Sequence, residues 1–344
     1  MVILGGGFGG LDAARALAGA PVRVTLLDRH NYHLFQPLLY QVATAALSPG
    51  DVASPIRWVL RHQKNVRVLL AEARSIDTEH RRIMLDESGG ASRDDSSIDY
   101  DYLIVATGST HAYFGHPEWA ARAPGLKTLD DALEIRRQVL LAFEAAERET
   151  DAAAQRRLLT FVIVGAGPTG VELAGALGEI ARQALRQDFR SIRPESARIL
   201  LLEGGPHVLG TFPERLREKA RESLTRLGIE VRTGAIVTSV DAEGVKIGDE
   251  RIAAQTVLWA AGVAASPLAK SLGVPLDRAG RVLAEPTLAV PGHSEIFVVG
   301  DLCALQQDGH PLPGVAQVAM QGGAHAAENV LRATRRETLQ PFRY

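Results

Sequence analysis

The chain has 344 residues, 46% hydrophobic and 23% charged, with a formal net charge of −2. That length sets two domains as the expectation, and a near-neutral balance without a long basic run excludes a general nucleic-acid binder. Its single cysteine, Cys303, excludes a disulfide framework, a CxxC redox pair and a thiolate metal site, and the scattered histidines predict no metal. In chain order, Met1-Val2-Ile3-Leu4 predicts a strand, and Gly5-Gly6-Gly7-Phe8-Gly9-Gly10 behind it fits G-x-G-x-x-G. A pyrophosphate approaches a backbone closely only where no Cβ intrudes, and free amides at a helix N-terminus stabilise it. Gly5 allows the turn, Gly7 the approach, and Gly10 lets a helix over roughly Gly9 to Ala18 pack on the strand. The strand Val22 to Leu27 ends in Asp28, 18 residues past Gly10, where a carboxylate would accept hydrogen bonds from an adenosine ribose. The alternative is a glycine-rich turn beside a surface acid.

The irregular stretch Arg29 to Leu39 is followed by strand-like segments at 66–70, 75–77 and 82–85. The polar tract Asp86 to Ser97 predicts an exposed hairpin loop. Tyr102 to Val105 reads as a buried strand ending in Ala106-Thr107-Gly108, and Thr128 as the N-cap of an amphipathic helix reaching about Glu149.

The first pattern then returns. Phe161 to Val164 leads into Gly165-Ala166-Gly167-Pro168-Thr169-Gly170, with a helix to about Leu185 and a strand, Arg198 to Leu202, closing in Glu203. From Gly170 to Glu203 is 33 residues against a usual spacing of about 20, and 182–196 absorbs the excess as helix and loop. Glu203 would bind a ribose diol and repel a 2′-phosphate, which favours NADH over NADPH, with Arg198 and His207 the nearby cations. Thr256 to Trp259 ends in Ala260-Ala261-Gly262, mirroring the earlier Ala-Thr-Gly. Glu295 to Val299 ends in Gly300-Asp301, and Pro313 introduces a helix through about Arg332.

This order predicts an α/β fold of two Rossmann-like dinucleotide-binding domains, the second inserted in the first. The first is expected over 1–110 and 276–344, a connecting segment with the amphipathic helix over 111–157, and the second over 158–275. Holding two dinucleotides together serves electron transfer between them.

These landmarks resemble the pyridine nucleotide-disulfide reductase-like flavoproteins. Within that group the chain closely resembles the type II NADH dehydrogenases, the single-subunit NADH:quinone oxidoreductases. The likeness covers essentially the whole chain and is strongest at Asn31 to Leu39, Thr160 to Gly175, Trp259 to Gly262 and Ala316 to Gln321. The last segment, Ala316-Gln317-Val318-Ala319-Met320-Gln321, fits the family's A-Q-x-A-x-Q quinone-site signature. The resemblance implies FAD at the first site, held by Gly5, Gly7, Phe8, Gly9, Gly10, Asp28, Pro37, Ala106, Thr107, Gly108, Gly300, Asp301, Ala316 and Gln317. It implies NADH as co-substrate at the second, held by Gly165, Gly167, Pro168, Thr169, Gly170, Glu172, Glu203, Ala261 and Gly262. Catalytic roles are implied for Glu172, at the start of the second helix beside the nicotinamide, and for Gln317 and Gln321, lining a quinone pocket.

Each assignment has a plainer alternative: a turn aspartate at Asp301, a helix-dipole carboxylate at Glu172, core packing at Pro37. Gln317 and Gln321, four apart and so on one helical face, would otherwise be solvent-facing amides. Pro313-Gly314 ahead of their helix would aim its N-terminus at the flavin's pyrimidine edge, where charge accumulates on reduction. The implied reaction passes hydride from NADH to flavin N5 and two electrons on to ubiquinone or menaquinone, without proton pumping. Rival readings are a soluble NADH diaphorase or ferredoxin-type reductase, and a slow NADH-sensing flavoprotein resembling apoptosis-inducing factor. One thiol cannot form the cysteine pair of sulfide:quinone oxidoreductases, so Cys303 is expected to be a small buried residue. His33 and His207 have no identifiable partner in the sequence.

No apolar run of about 18 residues offers a transmembrane span, and Met1 leads directly into a strand, so a cytoplasmic location is expected. Members of the family carry, past a segment like Gln340 to Tyr344, an extension with amphipathic helices for membrane attachment and often dimerisation. The sequence ends at Tyr344, so that anchor is expected to be missing here. With it supplied, a place on the inner face of the cell membrane and a homodimer are expected.

Overall fold

Uncharged runs of Val, Ile and Leu form the central strands, because a parallel strand covered on both faces has no side for polar residues. The computed structural model describes residues 1–86 and 96–344, so most of the loop expected at Asp86 to Ser97 lies outside the described residues. In chain order the elements that carry the sites are β1 (Val2–Leu4), α1 (Phe8–Ala16), β2 (Val24–Asp28), β3 (Val66–Leu70) and β4 (Leu103–Val105). They continue with α2 (Leu129–Arg148), β5 (Thr160–Val164), α3 (Pro168–Glu179), β6 (Arg198–Glu203), β7 (Glu230–Thr233) and β8 (Thr256–Trp259). Last come β9 (His293–Val298) and α4 (Ala316–Thr334).

The chain divides into two compact units, one of residues 1–34, 53–110 and 263–344, the other of 35–52 and 111–262. In the first, the sheet runs β9, β4, β1, β2, β3 with every pair parallel, and Ala289–Val290 pairs antiparallel on the outside of β9. Strand order thus reverses at β1, between β2 and β4. Crevices at such a switch point take ligands at the carboxyl ends of the strands. Alternate residues feed the two faces: Ile3, Leu26, Ile104 and Phe297 on one, Val2, Leu4, Leu27 and Val105 on the other. Helices α1 and α4 cover the first face, and they meet at glycines. A Cβ on Gly323 would collide with the Gly9 carbonyl.

In the second unit β7, β6, β5 and β8 are parallel, with Val162 opposite Leu200 and Val257. The switch point falls at β5. Helix α2 opens on a capping box: Asp131 N–H donates to Thr128 Oγ1 at 3.1 Å, and Thr128 N–H to Asp131 Oδ2 at 2.9 Å. Its buried stripe of Ala132, Ile135, Val139, Phe143 and Ala146 includes a ring stacked on Phe161 at 5.3 Å.

The units have other limits than those expected. The 111–157 segment is no mere connector, since Phe143, Tyr113 and Trp119 belong to the core of the second unit. Residues 35–52 group with that unit too, their helix Leu39–Ala43 packing against α2. Residues 263–275 belong to the first unit, because Leu268, Ala269 and Leu272 fill its core beside Ile76 and Ile83. Smaller shifts occur at element ends. The strand expected at 75–77 begins at Ala73, Ser97 starts a strand paired with Met84, and α4 starts at Ala316, three residues past Pro313.

Candidate functional site

The two fingerprints fold alike to the level of single bonds. Gly5 has φ +98° and Gly165 +99°, a region a side chain would strain. A Cβ on Gly5 would strike the Ala106 carbonyl, and one on Gly165 would strike Ala261. Here Ala106-Thr107-Gly108 and Ala260-Ala261-Gly262 find their purpose: they close the turn from the neighbouring strand end. A Cβ on Gly10 would overlap the Gly5 carbonyl, and one on Gly170 the Gly165 carbonyl. Gly7 and Gly167 are different. Among the described residues nothing lies within 4 Å of where their Cβ would be, leaving open space above each turn.

Both helices begin at that open space without a side-chain cap or an acid in the first turn, on Gly7 and Gly167 as N-caps. Phe8 starts α1, and Pro168, which lacks an N–H, starts α3 with Thr169 behind it. Uncapped amides and a positive helix end are an anion site. Each acid closes its turn from β2 or β6. Asp28 accepts from Gly6 N–H at 2.5 Å and His30 N–H at 2.6 Å. Burial pushes its carboxyl above the usual carboxylate range, against the pull of those two amides. Glu203 accepts from Ala166 N–H at 2.7 Å and Gly205 N–H at 2.8 Å. Arg198 takes no part, since its guanidinium forks onto Glu230 at 2.7 and 2.8 Å at the other end of β6. The 33-residue spacing is absorbed by a wide helical turn at Ile180–Ala184 and a loop whose amides from Arg190 to Ile192 bind the Glu147 carboxylate.

Around the first fingerprint, Ser109 Oγ donates to Asp301 Oδ2 at 2.7 Å, and Gly300 turns with φ +69° beneath Ala319 of α4. Thr107 Oγ1 is buried without a hydrogen-bond partner among the described residues. A buried hydroxyl lacking a partner calls for a ligand or water. Together with the cradle over Gly7 and the Asp28 carboxylate, it fits FAD, whose pyrophosphate, ribose and ribityl hydroxyls need such groups.

Ala316, Gln317 and Gln321 lie in the first turns of α4, with both glutamines and Met320 exposed and Val315 giving no side-chain cap. The shared face expected of the glutamines is present. Glu172 is the fifth residue of α3 and so sits in its second turn, not its first, which weakens a dipole explanation. Its side chain is exposed, yet the surrounding protein desolvates the carboxyl and raises its pKa. Ala261 and Gly262 are half-buried at the end of β8, where the Phe114 ring packs over Gly262. Pro37 lies outside the strands and helices of the first fingerprint. It is exposed in the turn Gln36–Leu38, within the segment that groups with the second unit. Cys303 is free and half-buried, not fully buried as expected, and desolvation of its sulfur pushes the thiol up to about 12. His33, without a partner on sequence grounds, has one: its Nδ1 lies 3.0 Å from the Gly6 carbonyl. Ser109 was equally invisible, being 192 residues from Asp301.

The pyridine nucleotide-disulphide oxidoreductase family model matches residues 1–323. The type II NADH:quinone oxidoreductase NdhA of Mycobacterium tuberculosis is 49% identical over 339 residues, covering 95% of this chain and 70% of the relative. The chain belongs to the type II NADH:quinone oxidoreductases. A second member from the same organism, Ndh, is 44% identical across 100% of this chain and 75% of its own length. The fold agrees with a structure of NDH2 from Plasmodium falciparum in complex with NADH, at TM-score 0.86 and 21% identity, covering 95% and 82% of the two chains. Among the described residues no helix is long and apolar enough to cross a membrane.

Proposed function

We propose that this chain oxidises NADH and reduces a membrane quinone, ubiquinone or menaquinone, through one FAD. The observation that carries the reading is a pair of matched dinucleotide cradles in one chain of this family, one with a buried unpartnered hydroxyl. The identity to NdhA favours a quinone acceptor over the ferredoxin and NADH-sensing alternatives. FAD, when bound, supplies the chemistry, taking hydride at N5 and giving two electrons to the quinone.

The chain's residues bind and orient. Asp28 keeps its turn amide and accepts from ribose hydroxyls with its remaining lone pairs at the first site, and Glu203 does so at the second. Glu203 also sets the preference for NADH, because its carboxylate repels a 2′-phosphate. Asp301, which accepts from Ser109, would hold the ribityl hydroxyls of FAD. The N-terminus of α4, without a side-chain cap, would stabilise negative charge growing on the flavin's pyrimidine edge. Glu172, with its carboxyl raised, holds a proton at a carboxyl oxygen more readily than an ordinary glutamate. Gln317 and Gln321 line the quinone side, donating through their amide nitrogens.

Stopped-flow kinetics of Gln317→Ala tests the assignment. Flavin bleaching by NADH should be nearly unchanged, while reoxidation by a short-chain quinone slows by roughly tenfold or more, the scale of one lost hydrogen bond. Equal loss in both half-reactions would remove Gln317 from the quinone side.

A further inference from the structure

The two turns share one further feature. In each, the residue between the first two glycines is gripped at both of its backbone polar atoms. Gly6 gives its N–H to Asp28, and its carbonyl accepts from His33 Nδ1 at 3.0 Å. Ala166 gives its N–H to Glu203, and its carbonyl accepts from the Leu209 amide at 2.8 Å. The second turn therefore uses a backbone donor where the first uses a side chain.

Rotating a peptide as a unit changes ψ of the residue before it and φ of the residue after it, and a glycine after it accepts either sign of φ. Gly7 and Gly167 each follow such a peptide, so in both turns the carbonyl needs a donor to hold it, and in the first that donor is a side chain. No peptide bond among the described residues is cis, so the Gly6 carbonyl and the Gly7 N–H point in opposite directions. Fixing the carbonyl fixes the amide. Gly7 is the N-cap of α1, and its N–H joins the free donors facing the open space above the turn.

A carbonyl has no proton to give, so the hydrogen in this bond sits on His33 Nδ1. The ring itself is held. His33 lies on the strand Tyr32–Leu34, paired with Ser54, and stands edge-on to Phe8 at 5.0 Å and 89°. We infer that His33 is a latch on the Gly6–Gly7 peptide. It keeps the Gly7 amide turned toward the pyrophosphate of FAD and prevents the rotated form, which would aim a carbonyl at the phosphates. His33 is thus a positioning residue that acts through Gly6, and the inference rests on the first site taking FAD.

The test compares wild type, His33→Ala and His33→Asn. FAD release on dilution is followed by flavin fluorescence, and NADH binding by its own fluorescence. The asparagine amide nitrogen stands where Nδ1 stands, so it can remake the bond. In His33→Ala the FAD dissociation constant should rise roughly tenfold, and His33→Asn should return it to within about twofold of wild type. The NADH dissociation constant should be the same in all three proteins. Unchanged FAD retention in His33→Ala, an asparagine variant as weak as the alanine one, or parallel loss of NADH binding would each overturn the latch. A wild-type chain that binds no FAD would overturn the functional reading itself, and the latch with it.

Discussion

Glu203 spends both carboxylate oxygens on the second turn, on the amides of Ala166 and Gly205, so it is fixed before any ligand arrives. Replacing it with alanine removes a charged acceptor from the ribose and a repulsive charge from the 2′ position. The KM for NADH should rise about tenfold, on the scale of a lost charge-assisted bond, while the KM for NADPH falls or stays level. Steady-state kinetics with both nucleotides checks it, and an equal rise for both would contradict the role. Cys303 gives a prediction of the opposite kind. With its thiol pushed up to about 12 by burial, almost no thiolate exists at neutral pH. Iodoacetamide should leave the folded protein unlabelled and label the urea-unfolded chain at Cys303 alone. Rapid labelling of the native state would show the sulfur to be accessible.

At the scale of elements, α1 and α4 approach so closely that only glycine fits at their crossing. Gly323→Ala would press a methyl group into the Gly9 carbonyl, on the first turn of α1. The helices must part, at a cost of about 1–3 kcal/mol, and the flavin-side turn moves with them. A lower thermal midpoint with weaker FAD retention is expected, and an unchanged midpoint would show that the crossing can relax. In the second unit, Glu147 of α2 takes the amides of Arg190, Ser191 and Ile192. The Arg190 amide first, with the other two, holds its carboxyl below the usual range. A depressed folded pKa means that this support is present above the unfolded value of about 4.3 and is lost as pH falls through the folded one. Amide exchange at 190–192 should therefore quicken in mild acid relative to the neighbouring helices, and Glu147→Gln should show the faster exchange already at neutral pH.

Across the whole molecule, two cradles on separate compact units imply two separable defects. Glu203→Ala should slow flavin reduction by NADH and spare reoxidation by quinone, and Gln317→Ala should do the reverse. The double variant should then carry both defects, each at its single-variant size, as independent sites do. Stopped-flow measurement of both half-reactions decides it, and a double variant no worse than one parent would show a shared step.

What could be read directly from the chain was local. Glycines at fixed offsets, apolar runs long enough for buried strands, and acids at strand ends are set by backbone sterics and by the period of each element, and both act over a few residues. Hence the two fingerprints, the strands beside them, Asp28, Glu203 and the glutamine face of α4 were legible, together with the family likeness. The limits of the units were not, because 35–52, 111–157 and 263–275 join whichever core their side chains can fill, and cores are assembled from distant segments. Ser109 on Asp301, Glu147 on its loop and His33 on Gly6 were hidden for the same reason. No spacing rule links a histidine to a carbonyl 27 residues away. Sequence by itself determined that this protein holds two dinucleotides. Only the tertiary structure decided what holds each turn in the form that binds them, since a hydrogen bond depends on distance in space and not along the chain.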